Sequence, residues 1–96
     1  MIVVHISTTG ITVDGHAGCA ETGKDIICSA VSMLTQNLIK SIETLTDDYI
    51  RYQIELGHIT IKYKDLSEKS RILIDSFFIG ISEVIKAYGE KYVQIC

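Results

Sequence analysis

Two side chains near the start of the chain could together cleave an amide bond. Cys28 carries a thiol, a strong nucleophile once it is deprotonated, and His16 carries an imidazole that can accept the thiol proton. A nucleophile and a base of this kind perform acyl transfer when the fold brings them within hydrogen-bond distance. The pair therefore indicates a cysteine hydrolase, although a cysteine in a helix more often serves packing.

A loop of small residues connects these two side chains. It belongs to residues 15–32, a stretch that begins where a predicted strand ends and finishes within the first turns of a predicted helix. Gly18 and Gly23 give the loop freedom at positive φ, and few apolar side chains anchor it. We expect residues 17–24 to be mobile without substrate and to close over Cys28 when a peptide binds.

The start of the predicted helix sets the environment of the thiol. With Asp25 as the N-cap, Cys28 is the third helical residue, where unpaired backbone N–H groups favour a thiolate and could stabilise an oxyanion. Ser32 lies one turn further along the same flank, beside the apolar stripe. The Asp25 carboxylate either caps the helix or turns toward His16 and orients the base. The sequence does not decide between these two orientations of the Asp25 carboxylate.

The same residues also fit a metal or redox site. His16, Cys19 and Cys28 supply three soft ligands, and Cys96 could be a fourth. Their spacing matches no common zinc pattern such as paired Cys-x-x-Cys. The glycines do not form a phosphate loop, because no Gly-Lys-Ser/Thr follows them. We therefore predict no metal and no cofactor, and keep a metal or redox role for Cys19 and Cys28 as an alternative.

Composition indicates a single domain over residues 1–96. Of the 96 residues, 47% are apolar and 22% are charged, which is enough for one modest core. The net charge of −3 argues weakly against a nucleic-acid-binding protein. No apolar run reaches the length of a membrane span and no leader peptide is indicated. The three cysteines fit a reducing cytoplasm better than a disulfide framework.

Alternating apolar residues predict two antiparallel hairpins. The first covers residues 2–14, and its second strand delivers His16 to the loop. The second covers residues 49–63, with its bend near His58, to which we assign no role. Residues 92–95 could add a final edge strand.

Two segments of helical periodicity alternate with the hairpins. The apolar residues of the first step by three or four along one stripe: Ile27, Val31, Leu34, Leu38, Ile42 and Leu45. The second begins after Ser67, its predicted N-cap, and ends near Gly89. Strands that bury one face, covered by two amphipathic helices, make a two-layer α+β sandwich of order ββαββα. We expect a mostly antiparallel sheet with both helices on one face.

The second helix is more apolar than a single buried stripe requires. Phe77, Phe78 and Ile81 lie around its middle, and such a helix is either deeply buried or shared with a partner chain. We therefore expect a symmetric homodimer built on this helix. Gly80 in the middle of this helix lowers helix stability by about 1 kcal/mol relative to alanine. This loss is tolerable where another helix must approach closely.

The motif around the thiol resembles a known family. Gly-His-Ala-Gly at residues 15–18, with Gly-Lys-Asp-Ile-Ile-Cys-Ser-Ala-Val-Ser at residues 23–32, is similar in residue type and spacing to the ribosomal-processing cysteine proteases (Prp). The resemblance covers the whole chain and implies a small bacterial endopeptidase that forms homodimers. It would remove a short N-terminal extension from one protein of the large ribosomal subunit, number twenty-seven. The resemblance also implies Cys28 as nucleophile, His16 as its base and Asp25 as a candidate third member.

Cys19 is a local departure from that family, which more often has an aromatic or polar residue there. A Cys19–Cys28 disulfide would silence the nucleophile. Two other functions stay open: a non-catalytic ribosome-assembly factor that binds the extension, and a metal or redox module. Cleavage of a substrate peptide excludes the first, and bound metal or a reversible disulfide identifies the second. The expected partner is the N-terminal extension, with no direct nucleic-acid or membrane partner.

Overall fold

The order of strands and helices follows the two periodicities of the sequence. The computed structural model describes residues 1–15 and 25–96, without the side chain of Asp25. The elements are β1 (Ile2–Ile6), β2 (Gly10–Gly15), α1 (Asp25–Leu45), β3 (Ile50–Glu55), β4 (His58–Tyr63), α2 (Glu68–Tyr88) and β5 (Val93–Ile95). This order confirms the predicted ββαββα arrangement and the final edge strand.

The five strands form one sheet in the order β3-β4-β2-β1-β5. All neighbouring pairs are antiparallel except β1 and β5, which are parallel. The pairing of β2 with β4 joins the two hairpins, and it places Val13 opposite Ile59 and Asp14 opposite His58. The mostly antiparallel α+β sheet is therefore confirmed, and the two hairpins lie side by side within it.

Both helices cover the same face of the sheet. Strand side chains alternate between the two faces of the sheet. The inward-facing side chains are apolar and pack against the helices, and the side chains between them face outward. The buried residues are Ile2, Val4, Ile11, Val13, Ile50, Ile59, Ile61, Tyr63 and Val93 of the strands, with Ile27, Val31, Leu38, Ile39, Ile42, Phe77 and Ile81 of the helices. Neither described helix is long and apolar enough to cross a membrane.

The burial of α1 differs from the predicted apolar stripe at the last residue of the helix and near its centre. Leu45, expected in the core, is 60% exposed because it is the last residue of the helix. Thr35, which is not one of the predicted stripe residues, is fully buried, and its hydroxyl donates to the Val31 carbonyl at 2.7 Å. A buried threonine is tolerated there because this bond satisfies the hydroxyl within the helix.

The two helices pack closely at Gly80. A Cβ atom at this position would lie 2.9 Å from Leu34 Cδ2 of α1. The glycine therefore permits the close approach of a second helix that was expected here from the sequence. On the same helix Phe77 and Ile81 are buried in the core, whereas Phe78 is 47% exposed. Phe77 and Ile81 are therefore not available to a partner chain, and the homodimer stays a prediction that depends on the exposed residues of α2.

A hydrogen-bonded cluster closes the start of α2. Ser67 is the N-cap, as predicted, but its own hydroxyl does not cap the helix. Instead Asp48 Oδ2 accepts from the Ser67 backbone N–H at 3.0 Å, from the Ser67 hydroxyl at 2.6 Å and from the Ser70 hydroxyl. The Ser67 and Ser70 hydroxyls stabilise the ionised carboxylate and hold the pKa of Asp48 below its usual value of 3.8.

Candidate active site

A cleft of about 530 Å³ lies between the start of α1 and the turn that connects β3 to β4. The first helical turns supply one wall, the β3–β4 turn supplies the other, and the ends of β1 and β2 complete the lining. The lining residues are Ile2, Val13, Gly15, Cys28, Ser29, Val31, Ser32, Met33, Ile54, Glu55, Leu56, Gly57, His58 and Ile59. The cleft therefore contains the predicted nucleophile and Ser32, one turn further along the helix.

The thiol of Cys28 sits where the core meets the cleft. Cys28 is half-buried and packs against the hydrophobic core. It is the fourth residue of α1, one position further than predicted, because the helix includes Asp25 as its first residue. Helical Cα–Cβ bonds tilt toward the helix N-terminus, which favours a position of the thiol near the first turn. The predicted position on the flank of the stripe is confirmed.

Ser32 belongs to the same wall as Cys28. Its hydroxyl accepts a hydrogen bond from the Gln36 side-chain amide at 2.9 Å. This bond holds the Ser32 oxygen in place and leaves its own hydroxyl hydrogen available as a donor. The structure therefore brings Ser32 to the cleft as a fixed polar group among largely apolar neighbours.

The end of β2 is fixed at the cleft by its backbone. Gly15, the residue before His16, adopts a φ of +99°, and a Cβ atom there would overlap the Met1 carbonyl oxygen. Its N–H donates to the Gly57 carbonyl at 2.8 Å, which ties the strand to the β3–β4 turn. Only glycine fits this position, because the backbone is left-handed and another backbone lies in direct contact.

Several predicted site residues lie outside the part of the chain that the structure describes. These are His16, Gly18, Cys19 and Gly23, and the predicted closing of residues 17–24 falls there too. The side chain of Asp25 belongs with them. Within residues 1–15 and 26–96, no three His, Cys, Asp or Glu side chains group as metal ligands. The roles of His16, Asp25 and Cys19 stay predictions.

The apolar wall of the cleft was not predicted from the sequence. Ile54 and Leu56 are 48% and 96% exposed, and Met33 on the facing side of α1 is 64% exposed. Ile54 points to the helix-covered face at the far end of the edge strand β3 and stays exposed, whereas Ile50 at the other end of this strand is buried. Alternation in β3 indicates the direction of Ile54, but only the packing of the helices shows that this side chain remains uncovered.

His58, to which the sequence assigned no role, links β2 to β4. Its Nδ1 contacts Asp14 Oδ1, and its Nε2 lies 2.8 Å from the Thr60 hydroxyl. Asp14 immediately precedes Gly15, so the imidazole also holds the strand end that lines the cleft. The only signal in the sequence is a histidine at a turn. The link could be found only once β2 is known to pair with β4.

Comparison with known proteins identifies the family. The family model of the cysteine protease Prp matches residues 1–94. The ribosomal processing cysteine protease Prp of Staphylococcus aureus strain Mu50, and that of strain NCTC 8325, are each 26% identical to this chain over 86 residues. These alignments cover 86% of this chain and 81% of each relative.

Solved structures share the whole fold. A crystal structure of S. aureus Prp with a covalently linked product peptide has a TM-score of 0.88 at 22% identity, covering 99% of this chain and 97% of that chain. S. aureus Prp with a substrate peptide has a TM-score of 0.83 at 18% identity, covering 99% and 95%. SMU.848 from Streptococcus mutans has a TM-score of 0.76 at 27% identity, covering 98% and 87%. With the family model matching almost its full length, this chain belongs to the Prp family of cysteine proteases.

Proposed function

We propose that this protease removes the short N-terminal extension of a large-subunit ribosomal protein, number twenty-seven, with Cys28 as nucleophile. The observation that carries the proposal is the position of Cys28, in the first turn of α1 and on the wall of a cleft that Gly15 also lines. Because Gly15 precedes His16, the loop that holds the proposed base starts at this cleft. The relatives described as ribosomal processing proteases support the choice of substrate.

The reaction follows the usual steps of a cysteine peptidase. The Cys28 sulfur attacks the scissile carbonyl carbon while His16 accepts the thiol proton. N–H groups at the start of α1 stabilise the oxyanion. The C–N bond then breaks, His16 returns the proton to the leaving amine, and the N-terminal fragment stays on Cys28 as a thioester. Water hydrolyses the thioester and restores the thiol. Asp25 either orients His16 or caps the helix.

The cleft fits an extended peptide with apolar side chains. Met33, Ile54 and Leu56 expose apolar atoms along its two walls, next to Cys28. Burying one substrate side chain of leucine or phenylalanine size here contributes roughly 1.5–3 kcal/mol. We therefore propose that apolar or aromatic residues precede the scissile bond. The net charge of −3 also suits a basic ribosomal partner.

The loop over residues 17–24 supplies the closing element of the proposed site. We propose that glycine at positions 18 and 23 permits this closing, and that substrate orders the segment over Cys28. Amide hydrogen exchange measured with and without the substrate peptide tests this step. We expect fast exchange in this segment that slows when the peptide binds. Equal protection in both states contradicts the proposed closing.

We also propose a cytoplasmic homodimer that uses the outer face of α2. Ile72, Phe78 and Ile79 are 59%, 47% and 62% exposed on this helix, and a second copy would cover them. Sedimentation at micromolar concentration should give a dimer, and Phe78→Asp should give a monomer. A monomer for the unmodified protein contradicts the dimer.

One experiment tests the proposed activity. The protein is incubated with a synthetic peptide that contains the extension and the first residues of the mature ribosomal protein, and the products are weighed by mass spectrometry. We expect one cut at the end of the extension, no cut with Cys28→Ala, and cutting at the normal rate with the matched control Cys19→Ser. An inactive Cys19→Ser variant, or an active Cys28→Ala variant, shows that the nucleophile is assigned wrongly.

A further inference from the structure

The open face of the sheet carries a cluster of positive charge outside the cleft that contains the thiol. Arg51 of β3 and Lys62 of β4 are directly opposite each other in the strand register. Tyr49 precedes Arg51 by two residues and Lys64 follows Lys62 by two. Strand alternation therefore places all four side chains on the same face of the sheet. Together they are the basic patch. They line a shallow depression of about 490 Å³ with Tyr63 and Asp65.

The charges of the basic patch are not neutralised within the described chain. The two ion pairs among residues 1–15 and 26–96 are Lys40 with Glu43 and His58 with Asp14. The depression therefore has three cations against one carboxylate, that of Asp65. Like charges directly opposite each other destabilise a sheet, and a bound anion would remove this repulsion.

Protection of the sheet edge does not account for the whole cluster. Lysines on an edge strand discourage edge-to-edge association, which would explain Arg51 on β3. Lys62, however, lies on β4, which is paired on both sides. A polar side chain is ordinary on the open face of a sheet, but Lys62 has the like charge of Arg51 directly opposite it.

We propose that the basic patch binds the phosphate backbone of single-stranded RNA. Cations spaced along a backbone, with an aromatic ring beside them, are the elements that single-strand binding requires. Tyr49 is 77% exposed, so its ring is available for a base to stack on. This proposal departs from the expectation, based on net charge, that the chain has no nucleic-acid partner, because three cations line one depression.

The basic patch leaves the cleft open. Lys62 points to the open face, whereas Ile59, which lines the cleft, points to the helices; the two are three residues apart on β4, about 10 Å. RNA and peptide can therefore be bound together. The choice of RNA over other polyanions rests on the proposed function, because a ribosomal protein substrate is presented beside RNA.

Fluorescence anisotropy with a labelled single-stranded RNA of about 12 nucleotides tests the proposal. Three phosphate contacts predict that the logarithm of the binding constant falls with the logarithm of the salt concentration with a slope of about −2. We expect the double variant Arg51→Glu, Lys62→Glu to bind at least about ten-fold more weakly, and Tyr49→Ala about five- to ten-fold more weakly. Salt-independent binding, or none at low salt, overturns the proposal.

The matched control reverses two exposed lysines elsewhere. Lys40→Glu, Lys69→Glu changes the net charge by the same amount and should retain most of the RNA affinity. An equal loss in this control shows that only overall charge matters and contradicts a specific patch. Tighter binding of a labelled polyglutamate peptide than of RNA also contradicts the proposal and indicates an acidic protein partner.

Cleavage of the isolated extension peptide separates this proposal from the protease function. Arg51→Glu, Lys62→Glu should cut the peptide within about two-fold of the normal rate, because the peptide carries no RNA and the cleft is unchanged. If RNA binding fails while the peptide is still cut, the basic patch is wrong and the protease assignment stands. If RNA binds as expected while the peptide is not cut, the protease assignment is wrong instead.

Discussion

The two helices have the same length and cover the same sheet face, yet their first turns differ. α2 starts in a closed cluster in which Asp48 accepts hydrogen bonds from Ser67 and Ser70. The first turn of α1 instead lines the cleft with Cys28. A helix start presents unpaired N–H groups. α2 uses its start for stability, and we propose that α1 uses its start for catalysis.

The middles of the helices are alike. Ile42 of α1 and Ile81 of α2 are each fully buried. Substitutions in the middles should therefore affect the two helices equally, and only substitutions at the starts should distinguish them.

The largest expected effect is on activity at the start of α1. Cys28→Ala should reduce peptide cleavage by at least about 1000-fold, because it removes the thiol that we propose forms the thioester. Its free energy of unfolding should change by less than about 1 kcal/mol, because the side chain is small and half-buried. The counterpart at the start of α2, Ser70→Ala, should lower stability and retain cleavage. Loss of cleavage in Ser70→Ala at a temperature where it is folded would break the comparison.

Removing core atoms from either helix should affect stability. Ile42→Ala and Ile81→Ala should each lower the free energy of unfolding by about 2–5 kcal/mol, because each leaves a cavity in the shared core. Urea denaturation followed by circular dichroism measures both values. A cost below about 1 kcal/mol for Ile81→Ala would show that α2 is not an equal part of the core.

Gly15→Ala tests the backbone next to the start of α1. A methyl group there would overlap the Met1 carbonyl oxygen, and the residue has a φ of +99°. We expect a loss of about 1–3 kcal/mol in stability and slower cleavage, because the strand end must move away from the cleft. Gly89→Ala is the matched control, since its φ is +105° but no atom lies within 4 Å of the added methyl. Equal costs at both positions would contradict the close contact at Gly15.

The smallest effect concerns the pH dependence at the start of α2. The pKa of Asp48 is lowered in the folded protein, so its stabilising effect is complete above the unfolded value near 3.8 and is lost as pH falls through the lower folded value. Asp48→Asn should therefore lower the melting temperature at neutral pH and reduce its decline in acid. Thermal melts from neutral pH to about pH 2 compare the two proteins. An unchanged acid profile would show that Asp48 does not act through its charge.

Local periodicity was enough to predict the elements of this fold. The motif predicts Cys28 as the nucleophile, and that role stays a prediction. Alternation and helical spacing are properties of neighbouring residues, so both hairpins and both helices followed from them. The apolar wall at Ile54 and Leu56, and the link between Asp14 and His58, depend on which strands pair and where the helices lie. These are contacts between distant parts of the chain, and no local pattern contains them.

The homodimer prediction was also limited by what local periodicity can show. Phe77, Phe78 and Ile81 are equally apolar in the sequence, and periodicity alone did not separate the core residues from the exposed one. The burial of Phe77 and Ile81 depends on the sheet and on α1. Of these three residues, Phe78 is the exposed one.

The central claim is that Cys28 carries the acyl group. The most direct measurement is the intact mass of the protein after acid quenching within the first turnovers on the extension peptide. The account predicts a species heavier than the protein by the mass of the N-terminal fragment less one water, with the added mass located on Cys28 by digestion, and the same species in Cys19→Ser. An adduct on Cys19 or Cys96, or cleavage without any adduct on Cys28 in a quench fast enough to capture the first turnover, would contradict it.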